Sequence, residues 1–118
     1  MIEIWKRYRF EAAHRLPKTP VNHKCHNLHG HNFTVILSLV GPVNDNGWLV
    51  DFGDITAAWN TVKAVIDHRY LNDIPGLENP TSEVLAQWIW DRMVALIPGL
   101  TAVQVQENDD CGAVYRGQ

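Results

Sequence analysis

The run Ile2-Glu3-Ile4-Trp5-Lys6-Arg7-Tyr8-Arg9-Phe10-Glu11-Ala12-Ala13-His14 decides the fold. With a period of two, Ile2, Ile4, Tyr8, Phe10 and Ala12 fall on one face and Trp5, Arg7, Arg9 and Glu11 on the other, so the segment reads as a strand covered on one side only. His14 has the parity of the apolar face. A second strand is predicted over residues 29–40, where Phe33, Val35, Leu37 and Leu39 share a side and Gly41-Pro42 ends the pattern. Between the two, residues 16–28 carry Pro17, Pro20, Asn22 and Asn27 without periodicity. They read as a loop long enough to favour a functional role.

Downstream, Phe52, Ile55, Ala58, Trp59, Val62 and Ile66 follow the three-and-four spacing of an amphipathic helix, with Asp51 or Asp54 as its cap. A Pro/Gly-punctuated loop leads to a second helix marked by Val84, Leu85, Trp88, Ile89 and Met93. Pro80 is expected in its first turn and Glu83 at the positive end of its dipole. Strands are predicted over residues 102–107 and 113–116, joined by a turn through Asn108, Asp109, Asp110 and Gly112. The order is ββααββ. An α+β domain follows, an antiparallel sheet with both helices on one face, and its bare face and open edges call for oligomerisation.

The chain has 118 residues and is 46% apolar, which suits one domain spanning 1–118 at about 100 to 200 residues per domain. A net charge of −3 argues against nucleic acid or an anionic membrane as partner. The N-terminus lacks the apolar core of a signal peptide, and no apolar run reaches the roughly 18 residues of a membrane span. A cytoplasmic location is expected. Cys25 and Cys111 are too few for a disulfide framework. Residues 1–44 carry a charge of +4 and residues 45–118 a charge of −7. No carboxylate lies between Glu11 and Asp45, yet that stretch holds Arg15, Lys18, Lys24 and five of the six histidines. It reads as an anion or metal region, or else as a solvated basic loop.

His29-Gly30-His31 at the mouth of the second strand places two imidazoles on one face. His14, at the end of the preceding strand, is a natural third. Three neutral nitrogens form the set a catalytic Zn²⁺ uses, with a fourth position left for water or substrate. Cys25, four residues before His29, is either a fourth ligand that closes the site or a nearby base, since positive surroundings favour the thiolate. Asp67-His68 after the first helix reads as a helix-end polar pair or as a relay in which the carboxylate orients the imidazole. Glu107 shares parity with Val103 and Val105; it is either an end-of-strand carboxylate in water or one that points along the buried face, where the ring N–H and exocyclic amine of a planar heterocycle would satisfy it.

Together, Phe10-Glu11-Ala12-Ala13-His14-Arg15-Leu16, Cys25-x-x-x-His29-Gly30-His31, Asp67-His68-x-x-Leu71-Asn72, Pro80-Thr81-Ser82-Glu83 and Glu107 resemble the 6-pyruvoyl tetrahydropterin synthase superfamily. The resemblance covers essentially the whole chain. The three residues between Cys25 and His29 are similar to the carboxy-forming bacterial branch of the queuosine pathway; the pyruvoyl-forming enzymes tend to have a longer spacer. The resemblance implies the tunnelling fold, assembled as a homohexameric ring (a dimer of trimers) with active sites between subunits. It implies a zinc-dependent lyase that converts 7,8-dihydroneopterin triphosphate to 6-carboxy-5,6,7,8-tetrahydropterin, acetaldehyde and triphosphate. His14, His29 and His31 would hold zinc, Cys25 would be the base, Asp67 and His68 its relay, and Glu107 the pterin anchor. Arg15, Lys18 or Lys24 would meet the triphosphate. Gln106 and Asn108 flank Glu107 where lysine and threonine are expected, a departure that touches the finer substrate contacts. The rival readings are pyruvoyl-forming activity on the same scaffold, a zinc hydrolase, and a non-catalytic ring that binds a pterin or purine.

Overall fold

A computed structural model describes residues 1–118. Strand β1 (Ile2–His14) pairs antiparallel with β2 (His29–Gly41) along its whole length, from Ile2 opposite Gly41 to His14 opposite His29. Helix α1 (Phe52–Ile66) follows, then β3 (Arg69–Tyr70), α2 (Ser82–Met93), β4 (Leu100–Gln106) and β5 (Gly112–Tyr115). The sheet order is β3-β1-β2-β4-β5, antiparallel except where β3 runs parallel to β1 at Ala12 and Ala13. The predicted α+β arrangement of ββααββ is therefore present, with β3 added. Two residues carry no alternation to read, and β3 exists only because the turn after α1 lies against β1.

One face of the sheet makes the core. Phe10, Ala12, Phe33, Val35, Leu37, Leu39, Val103 and Val105 are buried with Ile55, Trp59, Val62 and Ile66 of α1 and Leu85, Ala86, Ile89 and Met93 of α2. At about 1.5–3 kcal/mol for each large apolar side chain removed from water, this single layer dominates the folding energy. Phe10 and Phe33 stack with centroids 4.9 Å apart and planes 10° apart. Phe33 in turn meets His14 and His31 edge-on, with centroids 5.6 and 5.5 Å away. The other face stays open: Trp5, Arg7, Arg9 and Glu11 are exposed, and beyond Ala12–Ala13 the outer edge of β1 has no neighbour.

The caps explain where the helices begin. Asp51 is the N-cap of α1, its Oδ1 accepting from Gly53 N–H at 2.8 Å, while Asp54 lies in the first turn. Thr81 caps α2 through Val84 N–H at 3.1 Å, so Pro80 precedes the cap and is not in the first turn as expected. A cap needs an extended residue with a side-chain acceptor, which Thr81 supplies and proline lacks. β4 ends at Gln106, one residue short of the predicted 107, and leaves Glu107 at the mouth of the turn.

Candidate metal centre and its surroundings

Strand register assembles three imidazoles. His14 is the last residue of β1 and pairs directly with His29, the first residue of β2; His31, two residues on, returns to the same face. One nitrogen from each of the three lies within 4.8 Å of the others. His14 is fully buried. Its Nδ1 donates to Pro80 O at 2.9 Å, and His29 Nδ1 donates to Asn27 O at 2.8 Å. A carbonyl can only accept, so each Nδ1 carries the ring proton and each Nε2 presents a lone pair.

Those two Nε2 atoms face one another at 2.9 Å. Two lone pairs at that distance repel unless a cation joins them. His31 Nε2 is buried with no hydrogen-bond partner; Glu107 Oε2 lies 3.3 Å away, within ion-pair range but outside hydrogen-bond geometry. Burial pushes the His14 imidazole below its ordinary range against the raising pull of the Pro80 carbonyl, and burial likewise lowers His31 against the pull of Glu107. Both are thereby kept neutral, the form in which imidazole binds a metal. Convergent, unprotonated and unpartnered nitrogens fit a divalent ion held by three ligands with an open fourth position.

Cys25 lies in a short 3-10 turn, Lys24–His26, and is half-buried. Its sulfur is not among the converging donors. Glu107 carries on the buried parity of Val103 and Val105; Ser82 Oγ donates to its Oε1 at 3.0 Å beside His31. Ser82, 7% exposed, and the Pro80 carbonyl both come from the entry to α2 and support the site from below. The sequence marked this stretch as a helix start and as part of a motif, not as a support for the site.

Asp67 and His68 meet elsewhere. Asp67 ends α1, and His68 has a left-handed backbone with φ +57°, costly for a residue with a Cβ. Its N–H donates to Glu11 O at 2.6 Å, Glu11 N–H donates to Asp67 Oδ1 at 3.0 Å, and these bonds hold the bend against β1. His68 Nδ1 lies 3.1 Å from Asp67 Oδ2 and Nε2 lies 3.3 Å from Glu11 Oε2. The Glu11 N–H, aided by His68, keeps the Asp67 carboxyl below the usual carboxylate range. This group faces solvent, the His68 side chain being 73% exposed. No bond joins it to the imidazole triad on the core side, although His31 and His68 both border an open cleft of about 580 Å³ with Glu11, Gly30, Asn32 and Tyr70. Glu11 was not singled out from the sequence; its one signal was a carboxylate on the outer face of the first strand, just before small residues.

A family model described as 6-pyruvoyl tetrahydropterin synthase matches residues 3–118. The chain is 41% identical to 6-carboxy-5,6,7,8-tetrahydropterin synthase of Synechocystis, covering 95% of this chain and 91% of that one. It is 33% identical to dihydroneopterin monophosphate aldolase of Pyrococcus furiosus over 87% of each. Its structure is similar to 6-pyruvoyl tetrahydropterin synthase of Caenorhabditis elegans, with TM-score 0.91, 25% identity, and coverage of 99% of this chain and 96% of the other.

Proposed function

The chain belongs to the 6-pyruvoyl tetrahydropterin synthase family and has its fold, and from that premise we propose that it is a zinc-dependent carbon-carbon lyase. The proposed substrate is 7,8-dihydroneopterin triphosphate; the products are 6-carboxy-5,6,7,8-tetrahydropterin, acetaldehyde and triphosphate, made in the cytoplasm for queuosine synthesis. The observation that carries this reading is the convergence of three imidazoles beside a partly buried carboxylate, an arrangement that would serve as metal site and heterocycle anchor within one side chain's reach.

Zinc on His14, His29 and His31 would supply Lewis acidity to the substrate's side-chain hydroxyls and so acidify the adjacent C–H bonds. Cys25 takes a proton from that side chain as general base. His68, oriented by Asp67 through Nδ1, carries protons for the later steps. Glu107 accepts from the ring N–H and exocyclic amine, and Ser82 Oγ fixes the carboxylate rotamer for that contact. The separation of Asp67-His68 from the triad supports a site completed between subunits, in which the solvent-facing relay of one copy meets the metal of the next. The open β1 edge and exposed Trp5 support the same homohexameric ring.

The test is product identification with zinc-loaded protein. Acetaldehyde released from dihydroneopterin triphosphate is expected. 6-Pyruvoyl tetrahydropterin without acetaldehyde would establish the pyruvoyl-forming reaction instead, and turnover of dihydroneopterin monophosphate in preference to the triphosphate would point to the chemistry named for the Pyrococcus relative. The short Cys25-x-x-x-His29 spacer favours the first outcome.

A further inference from the structure

Arg15 follows His14 in the chain, and its side chain grips the turn that carries Cys25. Its Nε donates to His26 O at 3.2 Å, and a terminal guanidinium nitrogen lies 3.3 Å from His26 Nε2. His26 Nδ1 lies 3.2 Å from Thr19 O, so that nitrogen carries the ring proton and Nε2 accepts from the guanidinium. The backbone of Arg15 is held as firmly: its N–H donates to Asn72 Oδ1 at 2.9 Å and its carbonyl accepts from Asn72 Nδ2 at 2.8 Å. Leu16 N–H donates to Cys25 O at 2.7 Å. The Cys25 turn is thus gripped at two successive carbonyls and at the ring of His26. Its anchor is continuous with a ligand of the candidate metal centre on one side and with the segment after β3 on the other.

A half-buried guanidinium whose planar fork is closed on a carbonyl and a ring nitrogen is placed for architecture. Lys18 and Lys24 stay exposed and available to an anion. We propose that Arg15 is a positioning residue: through His26 it sets the direction of the Cys25 thiol, and it is not a ligand of the substrate's phosphates. The proposal rests on Cys25 acting as the base. A lysine cannot replace the fork, because its ammonium is a point charge that cannot span both acceptors in one plane.

The experiment uses the full chain with Cys111→Ser, so that Cys25 is the one thiol, and compares Arg15→Met, Arg15→Lys and His26→Leu for zinc content, the rate of alkylation by iodoacetamide, kcat and KM. Zinc content is expected to hold. Alkylation should change by about threefold or more in all three, because thiol reactivity follows its surroundings. A displaced base should lower kcat by about 10–100-fold while KM stays within about twofold. Full kcat in Arg15→Lys would overturn the proposal, as would unchanged alkylation in both Arg15 variants or a rise in KM with kcat intact, the mark of a phosphate ligand. If Cys25→Ala keeps full turnover, Cys25 is not the base; the alkylation rates still decide separately whether Arg15 sets the thiol.

Discussion

The two polar clusters of this chain are built in opposite ways. The imidazole triad stands on the buried face of two long strands, and direct pairing of His14 with His29 brings its members together within one hairpin. The Asp67-His68-Glu11 group stands on the open face, held by a strained bend and a two-residue strand. Preorganisation by register makes the first complete within one chain. Exposure leaves the second waiting for something to cover it.

Removing one ligand should have the largest effect. His31→Ala is expected to abolish zinc retention, a greater loss than the roughly 10–100-fold in affinity that outer-shell changes cost, as measured by metal analysis. Retention of about one zinc per chain would break the assignment of the triad. Next, Asp67→Asn or His68→Gln should lower kcat by about 10²–10⁴-fold while zinc content and melting temperature hold, the signature of a proton-transfer pair outside the metal site. A large fall in melting temperature would instead make the pair structural.

Ser82→Ala leaves Glu107 without its donor. A rise in KM of about 5–100-fold, from losing a hydrogen bond to a charged group worth about 1–3 kcal/mol, is expected in steady-state kinetics. Acid should separate the two clusters in chelator-treated protein. His14 and His31 have folded pKa values below 6.5, so the unfolded chain binds more protons as pH falls through that value. The triad's stability is therefore full above pH 6.5 and declines below it. Asp67, depressed from 3.8, contributes stability that is present above that value and is lost only as pH falls further. Melting temperatures followed from pH 8 to 3 should show the imidazole loss first; a flat profile between pH 7 and 5 would contradict the burial of the triad. The smallest effect is expected for Glu11→Gln, whose exposed pairing with His68 should change stability by less than about 1 kcal/mol in denaturant titration.

Much of the buried cluster was legible in the sequence; of the exposed one, only the pairing of Asp67 with His68 was. A period of two fixes faces locally, so the parity of His14, His29 and His31, and of Glu107 after Val103 and Val105, could be read without a structure. Pro80 was misplaced, lying before the cap instead of in the first turn, because a helix start depends on which side chain reaches the free N–H groups. β3, the left-handed His68 and the Glu11 clamp carried no periodic signal at all.

The alternation of Phe10, Ala12 and His14, and of Phe33, His31 and His29, determined the core face of each strand and the candidate ligand set, because a period of two assigns side chains to faces along the chain itself. Only the tertiary structure decided that Pro80 O holds His14, that Ser82 holds Glu107, that Arg15 grips the Cys25 turn, and that Asp67-His68 is tied to Glu11 with no bond to the triad. Ser82 and Glu107 are separated by 25 residues and His14 and Pro80 by 66. Their meeting depends on how two helices pack on one sheet, which no local pattern encodes.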